Sequence, residues 1–262
     1  MCIDALDAPL DSFATSLRSW LHNKPCEIII VTADGEQAEQ ITAAVRAEVP
    51  PSSITASKIH VLEAELPGRR AQLAQGVSRA TGAIVASCGE DVAWPEAYLT
   101  NMLPCFEDPR VGGAGQPVIP HIPEERRDDA VITPSEAAAV RITQTREASI
   151  KATYAAARWC PALDGSAALY RASILKDPCF LEAYTNESRH GSSRRLEVGG
   201  DSFISRWLQQ NEWTIAVQAK PETSVSRTVR ASDRLFPETL YEGCRAIRSS
   251  LKTILAIPPI SK

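Results

Sequence analysis

The residues best placed to do chemistry are carboxylates standing ahead of helices. Gly199-Gly200-Asp201-Ser202-Phe203-Ile204-Ser205-Arg206-Trp207-Leu208 sets one acid at the mouth of an amphipathic helix, directly after a diglycine. A carboxylate there can act as a general base toward an attacking hydroxyl; an N-cap satisfying the helix's open N–H groups would look the same. Earlier, Cys88-Gly89-Glu90-Asp91-Val92-Ala93-Trp94-Pro95 follows an apolar strand-like run and places Glu90 and Asp91 before a proline-initiated helix, where first-turn acids are also ordinary. Asp34-Gly35 ends another apolar run and doubles as common turn chemistry. The pairs Arg69-Arg70 and Arg194-Arg195 read either as solvated charge or as basic stretches near a phosphate. Taken together, these positions describe a divided active site.

The elements that must carry them alternate. Ser12 to His22 has helical apolar spacing and stops before Pro25, while Glu27 to Thr32 is a β-branched run of the kind found in buried parallel strands. Helix is predicted over 37–47, strand over 58–62, helix over 69–80, strand over 83–87 and a proline-started helix over 95–106. That order predicts an α/β fold with a mostly parallel sheet flanked by helices, its ligands bound beyond the carboxyl ends of the strands. After Val111-Gly112-Gly113-Ala114-Gly115, the proline- and charge-rich segment 117–134 reads as an exposed, mobile connection. A long alanine-rich helix over 135–158, a strand over 162–170, a polar loop over 185–195, a strand over 213–218 and a helix over 238–255 complete the pattern. The whole, 1–262, is read as a single domain with an irregular N-terminus over 1–11 and a tail over 256–262. Trp20, Trp94, Trp207 and Trp213 fall in apolar-periodic segments and read as core.

Bulk properties narrow the function classes. A net charge of −4 argues against a general electrostatic grip on nucleic acid or anionic membrane. Seven scattered cysteines, without a CxxC pair, give neither a disulfide framework nor a zinc site, and reduced, cytosol-facing thiols fit best. The four histidines lack metal-ligand spacing. No run approaches the ~20 apolar residues of a membrane span, and the first ten residues lack the basic and apolar regions of a secretory signal, so the chain as written reads as soluble.

In order along the chain, Leu17 to Pro25 running into Glu27 to Thr32, Asp91 to Pro95, Phe106 to Gly113, Ala168 to Arg171, Tyr184 to Glu187 and Asp201 to Leu208 make a specific set. That set resembles inverting family-2 glycosyltransferases of the GT-A fold, in the fungal polysaccharide-synthase-like branch related to hyaluronan and cellulose synthases. The resemblance spans roughly Phe13 to Leu255. It implies transfer of a sugar from a UDP-sugar donor to a glycan acceptor with inversion, assisted by a divalent cation, Mg²⁺ or Mn²⁺, and membrane association for full-length relatives. By position, Asp201 matches the catalytic base and Asp91 the metal-holding acid. Asp34, Arg69, Arg70, Glu90 and Arg245 are matched to the nucleotide-sugar side of the site, Arg245 being the residue retained from the glutamine–x–x–arginine–tryptophan signature.

Departures from the family pattern carry expectations of their own. No counterpart of the family's first strand is read before Ser12. The aspartate-rich metal motif is reduced to Gly89-Glu90-Asp91, and the acidic triplet before the later helix to Gly199-Gly200-Asp201. A relic that binds nucleotide or a partner without turnover is therefore the alternative. A nucleotidyltransferase ranks below both, since no glycine-rich phosphate loop follows a first strand.

Overall fold

The computed structural model describes residues 2–4, 10–50, 52–53, 55–128, 130–187 and 199–229. The loop expected over 188–195, the helix over 238–255, the tail and Arg245 lie outside them. In chain order the elements are β1 (Cys2–Asp4), α1 (Leu10–His22), β2 (Ile28–Thr32), α2 (Gly35–Glu48), β3 (Ile59–Glu63), α3 (Arg69–Arg79), β4 (Ile84–Cys88) and β5 (Val92–Ala93). Then come α4 (Tyr98–Met102), β6 (Val111–Gly115), β7 (Val118–His121), α5 (Pro134–Ala157), β8 (Ala167–Arg171), α6 (Ala172–Leu175), α7 (Pro178–Asn186), α8 (Gly200–Gln210), β9 (Thr214–Val217) and β10 (Val225–Thr228).

Seven strands form the main sheet in the order β3-β2-β1-β4-β8-β6-β9. All neighbours are parallel except β8, which runs antiparallel to both β4 and β6. A smaller sheet, β5-β10-β7, stands beside it. The strand β1 corrects the expectation of an irregular N-terminus: Cys2 and Ile3 pair with Ile29 and Ile30 on one side and with Ser87 and Cys88 on the other. Three residues are too few for hydrophobic periodicity to register, and only the gap between β2 and β4 reveals the strand.

The apolar run Ile28 to Val31 of β2 is explained by burial on both faces. Ile28 and Ile30 join one core with Phe13, Leu17, Trp20, Ile41 and Tyr98, whereas Ile29 and Val31 join another with Val77, Phe180, Tyr184, Phe203 and Leu208. Helices α1, α2 and α4 thus cover one face, and α3, α6, α7 and α8 the other. The glycine-rich run Val111 to Gly115, to which sequence patterning assigns no element, forms a fully buried strand. A Cβ on Gly112 would lie 2.7 Å from Leu208 Cδ2, so close approach of α8 requires its absence.

The segment 117–134 is also more built than expected. Strand β7 pairs in parallel with β10, and the buried Glu136 is bonded by Arg126 and closes a capping box with Thr133 at the start of α5. Pro95 does not begin a long helix; a short α4 runs over Tyr98–Met102 into a 3-10 turn over Leu103–Glu107.

Candidate active site

The carboxyl end of β4 delivers the first acids. Beyond Cys88, Gly89 donates its N–H to Ser166 O at 2.8 Å, which joins this exit to the loop preceding β8. Glu90 and Asp91 are both buried, at 6 % and 3 % exposure. Asp91 Oδ2 accepts from Arg227 Nε at 3.0 Å, and Thr228 donates its N–H to Asp91 O at 3.1 Å. Strand β10 therefore grips Asp91 by side chain and backbone. From the other side α1 fixes the same segment: Trp20 Nε1 donates to Val92 O at 2.8 Å, and Trp94 N to Ser19 Oγ at 3.0 Å.

Because β8 is antiparallel, its beginning lies beside the end of β4, and the turn Asp164-Gly165-Ser166 enters the site. Asp164 Oδ1 accepts from Ser166 N at 2.9 Å and from Ser166 Oγ, while Oδ2 lies 3.2 Å from Arg146 Nη1 on α5. Burial opposes ionisation of Asp164, yet Arg146 and the Ser166 bonds hold its carboxyl below the ordinary carboxylate range.

The third acid comes from α8. Gly199, at φ +72, occupies the N-cap, and Asp201 follows in the first turn with Oδ1 accepting from Ser202 N at 2.8 Å. The N-cap reading of Asp201 is thereby replaced: a glycine in left-handed conformation makes the turn, and the acid sits two residues further on, inside the first turn. A Cβ on Gly165 would come within 3.0 Å of Asp201 Cβ, so the Asp164 turn lies directly against this acid. Leu163 N donates to Ser205 Oγ at 2.9 Å and secures the same junction. Burial raises the Asp201 pKa, Arg146 opposes the rise and Asp164 adds to it. Asp91, Asp164 and Asp201 are thus linked through one turn, with Arg146 and Arg227 among them.

The other candidates have different surroundings. Asp34 caps α2, its Oδ1 accepting from Gln37 N at 2.9 Å, at the end of β2 and two strand positions from β4. Arg69 is exposed at the start of α3. Arg70 is not presented to a ligand: at 4 % exposure it donates to Tyr184 O at 2.9 Å, to Glu187 Oε2 at 2.7 Å and to Gly199 O at 3.3 Å. Glu187 also accepts from Arg206 at 2.5 Å, completing a buried ionic cluster that joins α3, α7 and α8 behind Asp201. Asp164, Arg146 and Arg227 were not singled out from sequence. An Asp-Gly-Ser turn before an apolar strand is the available signal for Asp164, but rules based on the carboxyl ends of parallel strands pass over the start of an antiparallel one.

A mixed sheet covered by helices on both faces, with carboxylates gathered where β4 ends, defines the GT-A-like class of nucleotide-diphospho-sugar transferases. The solved structure of Staphylococcus aureus TarS 1-349 has this architecture, with a TM-score of 0.54 at 13 % identity, covering 97 % of this chain and 65 % of that one. The same protein in complex with UDP matches with a TM-score of 0.52 at 14 % identity, covering 98 % of this chain and 66 % of that one. At such identities the likeness is one of fold. The chain belongs to glycosyltransferase family 2: residues 13–246 match the family described as "Glycosyltransferase like family 2". Its relatives include NDP-glycosyltransferase ltbB of Aspergillus luteorubrus, 32 % identical over 96 % of this chain and 60 % of that protein. A Type 2 glycosyltransferase of Zymoseptoria tritici is 29 % identical over 91 % of this chain and 46 % of its own length. The chain therefore spans 60 % or less of these relatives. Among the described residues no helix is long and apolar enough to cross a membrane.

The donor set does not have the form of a metal cage. Among the described residues no group of three or more His, Cys, Asp or Glu side chains is arranged to hold an ion, and the Asp91 carboxylate faces Arg227. Mg²⁺ is commonly held by one or two carboxylates together with substrate phosphates, and here the carboxylate matched to that role, Asp91, is engaged by the Arg227 guanidinium.

Proposed function

We propose that this chain is a glycosyltransferase domain that moves a sugar from a UDP-sugar to a hydroxyl of a glycan acceptor with inversion, Asp201 acting as general base. The observation that carries the reading is the junction of Asp201 with the Asp164 turn and, through Gly89, with the Asp91 segment. A carboxylate of raised pKa at that junction, in a chain of this family, supports the choice of Asp201 as the base. Inversion assigns one base to one face: the acceptor oxygen attacks the anomeric carbon as its proton passes to the Asp201 carboxylate, and the C–O bond to UDP breaks on the opposite side. Proton transfer of this kind supplies on the order of 10²–10⁴-fold in rate. Cytosolic placement and membrane association belong to the same proposal and concern the whole protein.

The test is UDP release from a panel of UDP-sugars with oligosaccharide acceptors, comparing the wild type with Asp201→Asn. The expected outcome is a fall in kcat of about 10²–10⁴-fold with UDP affinity kept. Equal turnover by the variant refutes the role of Asp201. The second reading, a module that binds nucleotide without turnover, draws support from the engagement of Asp91 by Arg227, and UDP binding with no release on any acceptor would favour it.

A further inference from the structure

We infer that Arg146 and Arg227 form a clamp for the donor diphosphate, so that guanidinium groups of this chain hold the leaving group in place of a divalent cation. This rests on the donor-site reading above.

The argument begins with exposure. The carboxylates lie beneath, Asp91 with a side chain 3 % exposed and Asp164 13 %, whereas the arginines bonded to them remain open, Arg227 at 44 % and Arg146 at 45 %. The layer facing solvent is therefore cationic although acids outnumber arginines in the cluster. Each guanidinium has five donors in a rigid fork. Arg227 directs Nε to Asp91 at 3.0 Å and Arg146 directs Nη1 toward Asp164 at 3.2 Å, so each is anchored along one edge. A fork anchored in this way loses little side-chain freedom when its remaining edge takes two phosphate oxygens.

The two arginines also share a field. Asp164 acts on both, and they act on one another as like charges. The carboxylates that balance them lie beneath, so an anion arriving from solvent meets the two open guanidiniums first. Their positions in the fold agree: Arg227 sits on β10 across from Val92, just beyond Asp91, and Arg146 on α5 reaches the turn that touches Asp201. A diphosphate held here would lie between the Asp91 segment and the proposed base, where a departing UDP has to lie. The carboxylate matched to a metal, Asp91, is instead an anchor of the clamp.

The test is calorimetric titration of the chain with UDP, once in EDTA and once with Mn²⁺, for the wild type and for Arg146→Gln, Arg227→Gln and Arg110→Gln. Arg110 is an exposed arginine bonded to Asp108 before β6 and serves as the control. The expected results are UDP binding in EDTA, a change of less than about threefold on adding Mn²⁺, and weakening by about 10- to 100-fold in each clamp variant, the range for lost charge-assisted bonds. Arg110→Gln should bind as the wild type does. Removing Arg227 strands a buried carboxylate, so the double substitution Asp91→Asn, Arg227→Gln is measured alongside, with thermal unfolding as the check on folding; it should fold and still bind weakly. Binding that requires Mn²⁺ and is indifferent to Arg146→Gln overturns the clamp and leaves the donor reading standing. Absence of UDP binding by folded wild type in both buffers overturns the donor reading and the clamp with it.

Discussion

Replacing Glu147 by glutamine should remove a pH dependence of stability that can be worked out from its surroundings. Glu147 lies on α5 at 6 % exposure, with Oε2 accepting from Val118 N at 3.2 Å and Oε1 making no hydrogen bond among the described residues. Burial first, and the nearby Asp164 second, push its pKa from the ordinary 4.5 up to about 7. At about 1.36 kcal/mol for each tenfold change in proton activity, that gap corresponds to roughly 3 kcal/mol. The sign follows from proton counts: between pH 4.5 and 7 the folded chain keeps a proton that the unfolded chain has released. The stabilisation is fully present below about pH 4.5 and is lost as pH rises through about 7. Glutamine keeps the neutral form at every pH and retains an oxygen for the Val118 N–H. Urea unfolding followed by tryptophan fluorescence at pH 5 and pH 8 should show the variant gaining on the wild type by up to roughly 3 kcal/mol at the higher pH. A stability difference that does not change with pH would falsify the assignment of a buried neutral carboxyl here.

Two further substitutions probe the packing that holds the site. Gly113→Ala places a methyl 2.8 Å from Leu208 Cδ1 and 3.1 Å from Tyr170 Cδ1, and with Leu208 wholly buried the cost should be about 1–3 kcal/mol. It would be read as a fall in Tm of about 2–4 °C per kcal/mol, and an unchanged Tm would show that β6 and α8 can part. Glu187→Gln leaves Arg70 and Arg206, at 5 % and 9 % side-chain exposure, without their shared carboxylate, and should cost about 3–5 kcal/mol in urea unfolding. A loss below about 1 kcal/mol would show that the two guanidiniums do not depend on this carboxylate.

Local patterning reveals most of the left half of the sheet and little of the site's far wall. The runs at Ile28 to Thr32 and Ile84 to Cys88, and the helix after the first of them, are legible because burial on both faces favours largely apolar strands beside amphipathic helices. Strand β6 is hidden by three glycines, chosen for the approach of Leu208 and Leu163 and against β propensity. Strands β5, β7 and β10 are only two to four residues long, β7 contains a proline and β10 is mostly polar, and they exist through pairing with one another. The site divides along the same line. Asp91 follows an apolar strand run and Asp201 opens an amphipathic helix, so both stand beside elements with a clear signal. Arg146 lies within an alanine-rich helix of weak amphipathicity and Arg227 in an unrecognised strand, and long-range contacts alone bring them to the acids. Arg70 shows the converse: an arginine at the mouth of a helix looks ready for phosphate, yet its guanidinium is turned inward to α7 and α8.

That inward turn bears on how the protein can change over evolution. A single guanidinium binds Tyr184 O and Glu187 at the end of α7 and Gly199 O at the start of α8, so α3 ties the two helix ends to one another. A shift in any one of the three helices has to carry the other two with it, and substitutions that spare this arginine and its acceptors can accumulate on their outer faces while Asp201 keeps its place.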